Sequence, residues 1–286
     1  MSKLTIDNFG QYFINEAFDM IYSATSKEFQ EMLSGIDFQT ICREFKQGVQ
    51  IFEKFSEKQL LGLTSVVWIN EEKERAIQVA YDQNQVIVAL YFKPFITCAS
   101  DEQWTKNQYQ MPINEEWFVF WGGTNVIDNY HYAYAQQRYA YDLVQVRNGA
   151  TFTGDPLINE SYYAFGTDVV APLNGTVVTV VDGCIDNVPG EMDEQDPAGN
   201  YVIIEHTNNE YSMMAHLKNG SIQVREGEVV NVGQVLGQCG NSGNSSEAHI
   251  HFQVMDHQQM EQGKSIRIQF QDGSNPVQGD VVGLSE

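Results

Sequence analysis

The stretch Gly240-Asn241-Ser242-Gly243-Asn244-Ser245-Ser246-Glu247-Ala248-His249-Ile250-His251-Phe252 decides the fold of the second half of this chain. Glycine, asparagine and serine favour turns, and they run into residues that alternate small or apolar side chains with two histidines, so a loop feeding a strand is expected. Successive side chains on a strand face opposite ways, which makes His249 and His251 project together, about 6 to 7 Å apart. Two imidazoles on one face suit a shared metal ion, or one ligand beside one proton carrier. The plain alternative is a polar sheet face without chemistry, because short motifs recur by chance.

The neighbours of this stretch argue against coincidence. Upstream stands Gly175-Thr-Val-Val, then Gly199-Asn-Tyr-Val-Ile-Ile-Glu-His206, then Tyr211-Ser-Met-Met-Ala-His216-Leu217, and then a glycine-punctuated strand-turn-strand unit from Gly227 to Gly237. In this order, from about Tyr139 to Phe252, the residues resemble the lysostaphin-type (LytM-like) zinc metallopeptidases. The resemblance implies a mostly-β peptidase domain, Zn2+ as cofactor, Asp142 and His251 as metal ligands, and His216 and His249 as catalytic histidines that do not bind the metal.

The family's first metal motif places a histidine four residues before the aspartate. Counting back from Asp142 that position is Arg138, and a guanidinium has no lone pair to offer a metal. His131, in Asn129-Tyr130-His131, is the candidate for the missing imidazole, since a related branch of the family carries a histidine several residues before a similar Gln-Arg-Tyr-Ala-x-Asp run. A His131 exposed on a tyrosine-rich loop is the alternative. Aligning Asp168 as the metal aspartate is rejected, because its Gly-Thr-Asp-Val-Val segment resembles the stretch that follows that aspartate. His206 is expected to support the sheet and His257 to lie at the surface.

Net charge bounds the partners. With 16 Lys and Arg against 38 Asp and Glu the chain carries −22, so nucleic acid is excluded as an expected partner for want of clustered cations. No apolar run is long enough to span a membrane. The start, Met1-Ser-Lys-Leu-Thr-Ile-Asp-Asn, builds no apolar signal core, whereas the family resemblance implies work outside the cytoplasm or at the cell wall. Cys42, Cys98, Cys184 and Cys239 form no metal-type pair and are expected as small hydrophobes, with a disulfide left open. The acidic run from Asp182 to Asp196 lacks the EF-hand spacing and is expected to be a solvated face.

The first part reads as helices over residues 7 to about 56, with Asp7, Ser26 and Asp37 as caps and Phe9, Phe13, Phe29, Phe38 and Phe45 facing inward. From Leu61 the period changes to two, and Leu63 to Phe92 predicts an antiparallel meander. The expected fold class is therefore α+β, with N-terminal helices plus a curved antiparallel sheet similar to cystatin-like or nuclear-transport-factor-like domains over 1–96, a linker over 97–114, and a LytM-like peptidase domain over 115–286. The tail is expected to add one strand at 265–270 and a disordered end. The function expected is hydrolysis of peptidoglycan stem or cross-bridge peptides. A catalytically degenerate LytM-like domain that binds cell wall or a partner protein is the alternative. Oligomeric state and the bond cut are left open.

Overall fold

The computed structural model describes residues 3–283. They form two compact units, one ending at Ile96 and the other starting at Thr97, and the architecture is α+β.

The first unit opens with α1 (Phe9–Ile14), α2 (Phe18–Ser23), α3 (Lys27–Met32) and α4 (Gly35–Lys46). Ser26 caps α3 by accepting from the Phe29 amide, as its side chain predicts. At α4 the cap is Ser34; Asp37, expected there, is the third helical residue and accepts the Ser34 hydroxyl at 2.6 Å. Asp7 falls in a 3-10 turn, Ile6–Asn8, ahead of α1. The aromatic stripe turns inward: Phe9, Phe13, Phe18, Ile21 and Phe38 pack with Trp68, Ile77 and Val79 of the sheet.

That sheet is a four-stranded antiparallel meander of β1 (Phe52–Leu60), β2 (Leu63–Asn70), β3 (Arg75–Tyr81) and β4 (Ile87–Pro94). The start of β1 occupies residues expected to be helical. Only Phe52 of this edge strand is buried, so its sequence carries no core-facing alternation.

The second unit holds β5 (Trp104–Tyr109), β6 (Trp117–Trp121), β7 (Tyr141–Val144), β8 (Asp168–Val170), β9 (Gly175–Val181), β10 (Asn200–His206), β11 (Glu210–Leu217), β12 (Val229–Val230), β13 (Val235–Gln238), β14 (Ile250–Met255), β15 (Arg267–Phe270) and β16 (Val281–Val282). Eight of them form one sheet in the order β12-β9-β10-β11-β14-β7-β6-β16. Residues 97–114, expected as a linker, contribute β5, which pairs in parallel with β15 and buries Tyr109 completely. The end is ordered beyond expectation, since β16 pairs with β6; positions 284–286 lie outside the described residues.

Alternation along β14 divides the sheet's two faces. Ile250, Phe252 and Val254 join Tyr141, Leu143, Val202, Ile204 and Met214 in the main core, each contributing on the order of 1.5–3 kcal/mol by burial. His251, Gln253 and Met255 take the opposite face. The four cysteines are free thiols, Cys42 and Cys239 fully buried. Among the described residues no helix is long and apolar enough to cross a membrane.

Candidate metal centre

β7 and β14 are antiparallel neighbours, and their register sets Asp142 opposite His251. Two residues 109 apart in sequence thereby meet, with His251 Nδ1 3.0 Å from Asp142 Oδ1. Tyr141 and Leu143, on the other face of β7, are held in the core, so strand alternation itself aims the carboxylate away from it. His249, just ahead of β14, brings Nε2 to 3.8 Å from Asp142 Oδ1.

His216 reaches the same face by breaking the alternation. Ala215 stands opposite His251, which by strand geometry would send residue 216 to the core side. Between Asn200↔Leu217 and Val202↔Met214, however, Tyr201 alone faces both Ala215 and His216, and His216 adopts φ 61°. A bulge with a left-handed residue re-aims the imidazole, a backbone conformation that costs a non-glycine residue about 1–3 kcal/mol. The ring ends 4.6 Å from that of His249, and Nδ1 lies 2.8 Å from the Ser242 carbonyl. Ser242 is fixed in turn, donating to Leu217 O at 2.8 Å and accepting from Asn200 N at 3.0 Å. Gly199 and Gly243, both with positive φ, make this possible: a Cβ on Gly243 would strike the backbone of Gly199, and one on Gly199 the backbone of Ser242.

His131 arrives on a short 3-10 turn, Tyr130–Ala133, capped by Asn129. Asn129 Oδ1 accepts from the His131 amide at 3.1 Å while its Nδ2 donates to Ala140 O at 3.0 Å, tying the turn to the run that enters β7. His131 Nε2 thereby stands 3.0 Å from Asp142 Oδ2, and the residue is 1% exposed, which overturns the surface alternative. Arg138 turns elsewhere: Nε donates to Tyr132 O at 3.1 Å and Nη1 to Ser100 Oγ at 3.2 Å. His206 bridges Asn174 O and Ser212 Oγ, and His257 is exposed, as expected of both.

One nitrogen of each central imidazole faces outward to an oxygen acceptor. His131 Nδ1 lies 3.0 Å from Gln137 Oε1, His251 Nε2 3.1 Å from Gln253 Oε1, His216 Nδ1 2.8 Å from Ser242 O, and His249 Nδ1 2.9 Å from Glu247 O. The Gln253 amide is oriented by its own Nε2, which donates to Gln136 O at 3.3 Å. With the glutamine amides turned as they stand, the outward nitrogens are placed to donate, which leaves the inward ones free to offer lone pairs to a cation.

For His131 and His251 the inward nitrogens stand 3.0 Å from carboxylate oxygens, a contact that a proton on the nitrogen or a cation between the partners satisfies. Burial holds the His131 imidazole below its usual range despite the pull of Asp142, so a second proton is disfavoured. Burial likewise drives His216 well down, helped by the neighbouring imidazoles. Burial opposes ionisation of Asp142, but the imidazoles around it, when they carry a proton toward it, outweigh burial and hold the carboxyl well below its usual range. Ligand atoms of His131, Asp142 and His251 lie within 4.8 Å of one another. Two neutral imidazoles and a carboxylate are a donor set that fits zinc.

Several contributors escaped the sequence. Gln137 lay inside the Gln-Arg-Tyr-Ala-x-Asp run, which was its only signal; Gln253, two residues past His251, had none beyond strand periodicity. Tyr130 stacks on His131 at 3.9 Å between ring centroids and stays 43% exposed, lining the site. Glu247 accepts from Thr151 Oγ1 at 3.1 Å, and burial raises its carboxyl. The acidic run is also more than a solvated face. Asp186 accepts the Asn241 amide at 2.7 Å, and Asn187 Nδ2 donates to Gly243 O and Ser245 O, latching it to the loop that precedes β14.

Residues 162–267 match the sequence model of Peptidase family M23, and the chain carries an M23 domain there. The match includes His216, His249 and His251 and begins after His131 and Asp142. Over 91 residues, 32% of this chain, the sequence is 35% identical to peptidoglycan DD-endopeptidase ShyA of Vibrio cholerae serotype O1, covering 20% of that protein. Over 113 residues, 40% of this chain, it is 27% identical to an uncharacterized metalloprotease of Buchnera aphidicola, covering 28% of it. The chain thus spans less than a third of the length of either relative. The catalytic domain of lysostaphin from Staphylococcus simulans aligns at 24% identity over 41% of this chain and 85% of its own, with a TM-score of 0.27.

Proposed function

We propose that the second unit is a zinc-dependent endopeptidase that hydrolyses peptide bonds in the stem or cross-bridge peptides of peptidoglycan, outside the cytoplasm. The observation that carries this reading is the buried carboxylate of Asp142 with two imidazole nitrogens 3.0 Å from it. The relatives named as peptidoglycan DD-endopeptidases support the substrate class. His131, Asp142 and His251 would hold the ion, and three protein ligands leave a place open, as in catalytic rather than structural zinc sites.

Zinc in such a site supplies Lewis acidity toward the scissile carbonyl and the attacking water. His216 and His249 carry the protons. With their outward Nδ1–H groups committed to Ser242 O and Glu247 O, each inward nitrogen keeps its lone pair and a fixed direction. One takes the proton of the attacking water. The imidazolium so formed donates to the developing oxyanion or returns the proton to the departing amine. Exclusion of water around the buried His216 ring and the partly buried His249 ring strengthens each of those interactions.

We further assign residues 1–96 to a separate small domain and 115–286 to the peptidase, with 97–114 as the strap before it. The helix-then-meander order of the first domain supports kinship with cystatin-like or nuclear-transport-factor-like folds, and no chemistry is assigned to it. Digestion of purified peptidoglycan, followed by mass spectrometry of the released fragments, tests the function. The zinc-loaded protein is expected to release cleaved stem or cross-bridge peptides, and a chelator to stop it. Zinc-loaded protein that binds sacculi and leaves every peptide intact would establish the degenerate, binding-only reading instead.

A further inference from the structure

The two imidazoles proposed to hold the metal present different nitrogens to it, Nε2 from His131 and Nδ1 from His251. The two neutral tautomers of a histidine differ little in energy, so the choice between them is set by what the other nitrogen meets. For His216 that partner is a main-chain carbonyl, and for His249 it is the Glu247 carbonyl with the Ser245 hydroxyl 3.1 Å away. For His131 and His251 it is a glutamine amide in each case.

We propose that Gln137 and Gln253 are positioning residues that set the tautomers of His131 and His251, and that the turn carrying Gln136 and Gln137 governs both. Gln253 is 3% exposed and sits on β14 two residues beyond His251, on the same face. Its amide has two possible orientations, and donation from Nε2 to Gln136 O selects the one that presents Oε1 to His251. Gln137, the next residue of that turn, presents Oε1 to His131. The turn is closed by Gln137 N donating to Tyr134 O at 3.1 Å and Ala140 N donating to Gln137 O at 2.9 Å, and it is tied to the segment between β14 and β15 by Ser265 N donating to Ala135 O at 3.0 Å. One short segment between His131 and Asp142 therefore orients one imidazole directly and the other through Gln253.

This inference rests on the zinc reading, and its test separates the two. Zinc affinity is measured by competition with a chromophoric chelator on the full chain and on the Q137M, Q137E, Q253M and Q253E variants. Methionine keeps length and volume without the strong acceptor; glutamate keeps the acceptor. Each methionine variant is expected to bind zinc about 10- to 100-fold more weakly, as for other outer partners of metal-bound histidines, with the glutamate variant recovering most of the loss. The visible spectrum of the cobalt(II)-loaded protein is expected to change in the methionine variants and return in the glutamate ones. Thermal melting of the metal-free proteins checks folding, and Gln137, only partly buried, keeps the test open if Q253M does not fold. Methionine variants that bind zinc as tightly as the parent, or glutamate variants no better than methionine, would overturn the proposal while leaving the zinc reading intact. A parent chain that binds no zinc would overturn both.

Discussion

Replacing His131 by alanine tests the least family-like element of this site. The imidazole is buried and 3.0 Å from Asp142, so its loss leaves two protein donors, Asp142 and His251, where three converge. Structural zinc sites with four ligands bind with about 10–16 kcal/mol, or roughly 3 kcal/mol for each ligand, which corresponds to a loss of about 10²-fold in affinity. With zinc in excess of both dissociation constants, the stabilisation conferred by the ion falls by the same amount, about 3 kcal/mol. For a unit of this size that lowers the zinc-dependent rise in melting temperature by about 6–12 °C. Elemental analysis and differential scanning calorimetry with and without zinc give both readouts. The control is Arg138→Ala, because Arg138 bonds Tyr132 O and Ser100 Oγ rather than facing the site, and its zinc content is expected to match the parent. The reasoning fails if H131A keeps full zinc content and the full thermal shift, or if R138A loses them.

His216→Ala and His249→Ala are each expected to retain zinc while lowering turnover of peptidoglycan by about 10²- to 10⁴-fold; loss of the metal from either variant would move that residue into the ligand set. Gly243→Ala is expected to destabilise the second unit by at least about 1–3 kcal/mol in urea unfolding, since φ is 80° and the added carbon meets the Gly199 and Pro197 backbone; an unchanged midpoint would remove the role given to this close approach. His206 supplies a pH dependence. Burial lowers its pKa in the folded protein, so the unfolded chain binds its proton more readily, and stability is fully present above the unfolded value of about 6.5 and is lost as pH falls through the folded one. Urea midpoints are therefore expected to drop more steeply between neutral and mildly acidic pH for the parent than for H206Q, and parallel profiles would contradict this.

Periodicity and turn chemistry were enough to read the helix-then-meander order of the first unit and the histidine-bearing strand β14, because these follow from contacts local in the chain. Where local signals were weak, the reading missed. β1 is an edge strand with a mostly exposed, charged surface and so looks like no strand at all, and Ser34 and Asp37 are both competent caps whose choice depends on where α4 meets the core.

For the site, the sequence alone determined that His249, His251, His216 and Asp142 were the residues to bring together, since strand alternation and the family-like order of motifs mark them. It could not determine that they meet. Asp142 faces His251 only because β7 pairs with β14 in one register, His216 joins them only through a bulge and a left-handed backbone, and His131 arrives on a turn held by Asn129. Those are long-range pairings and backbone irregularities, which no periodic pattern encodes. The outward partners Gln137 and Gln253 belong to the same class, because a glutamine's role here depends on which nitrogen of a distant imidazole the tertiary fold turns toward it.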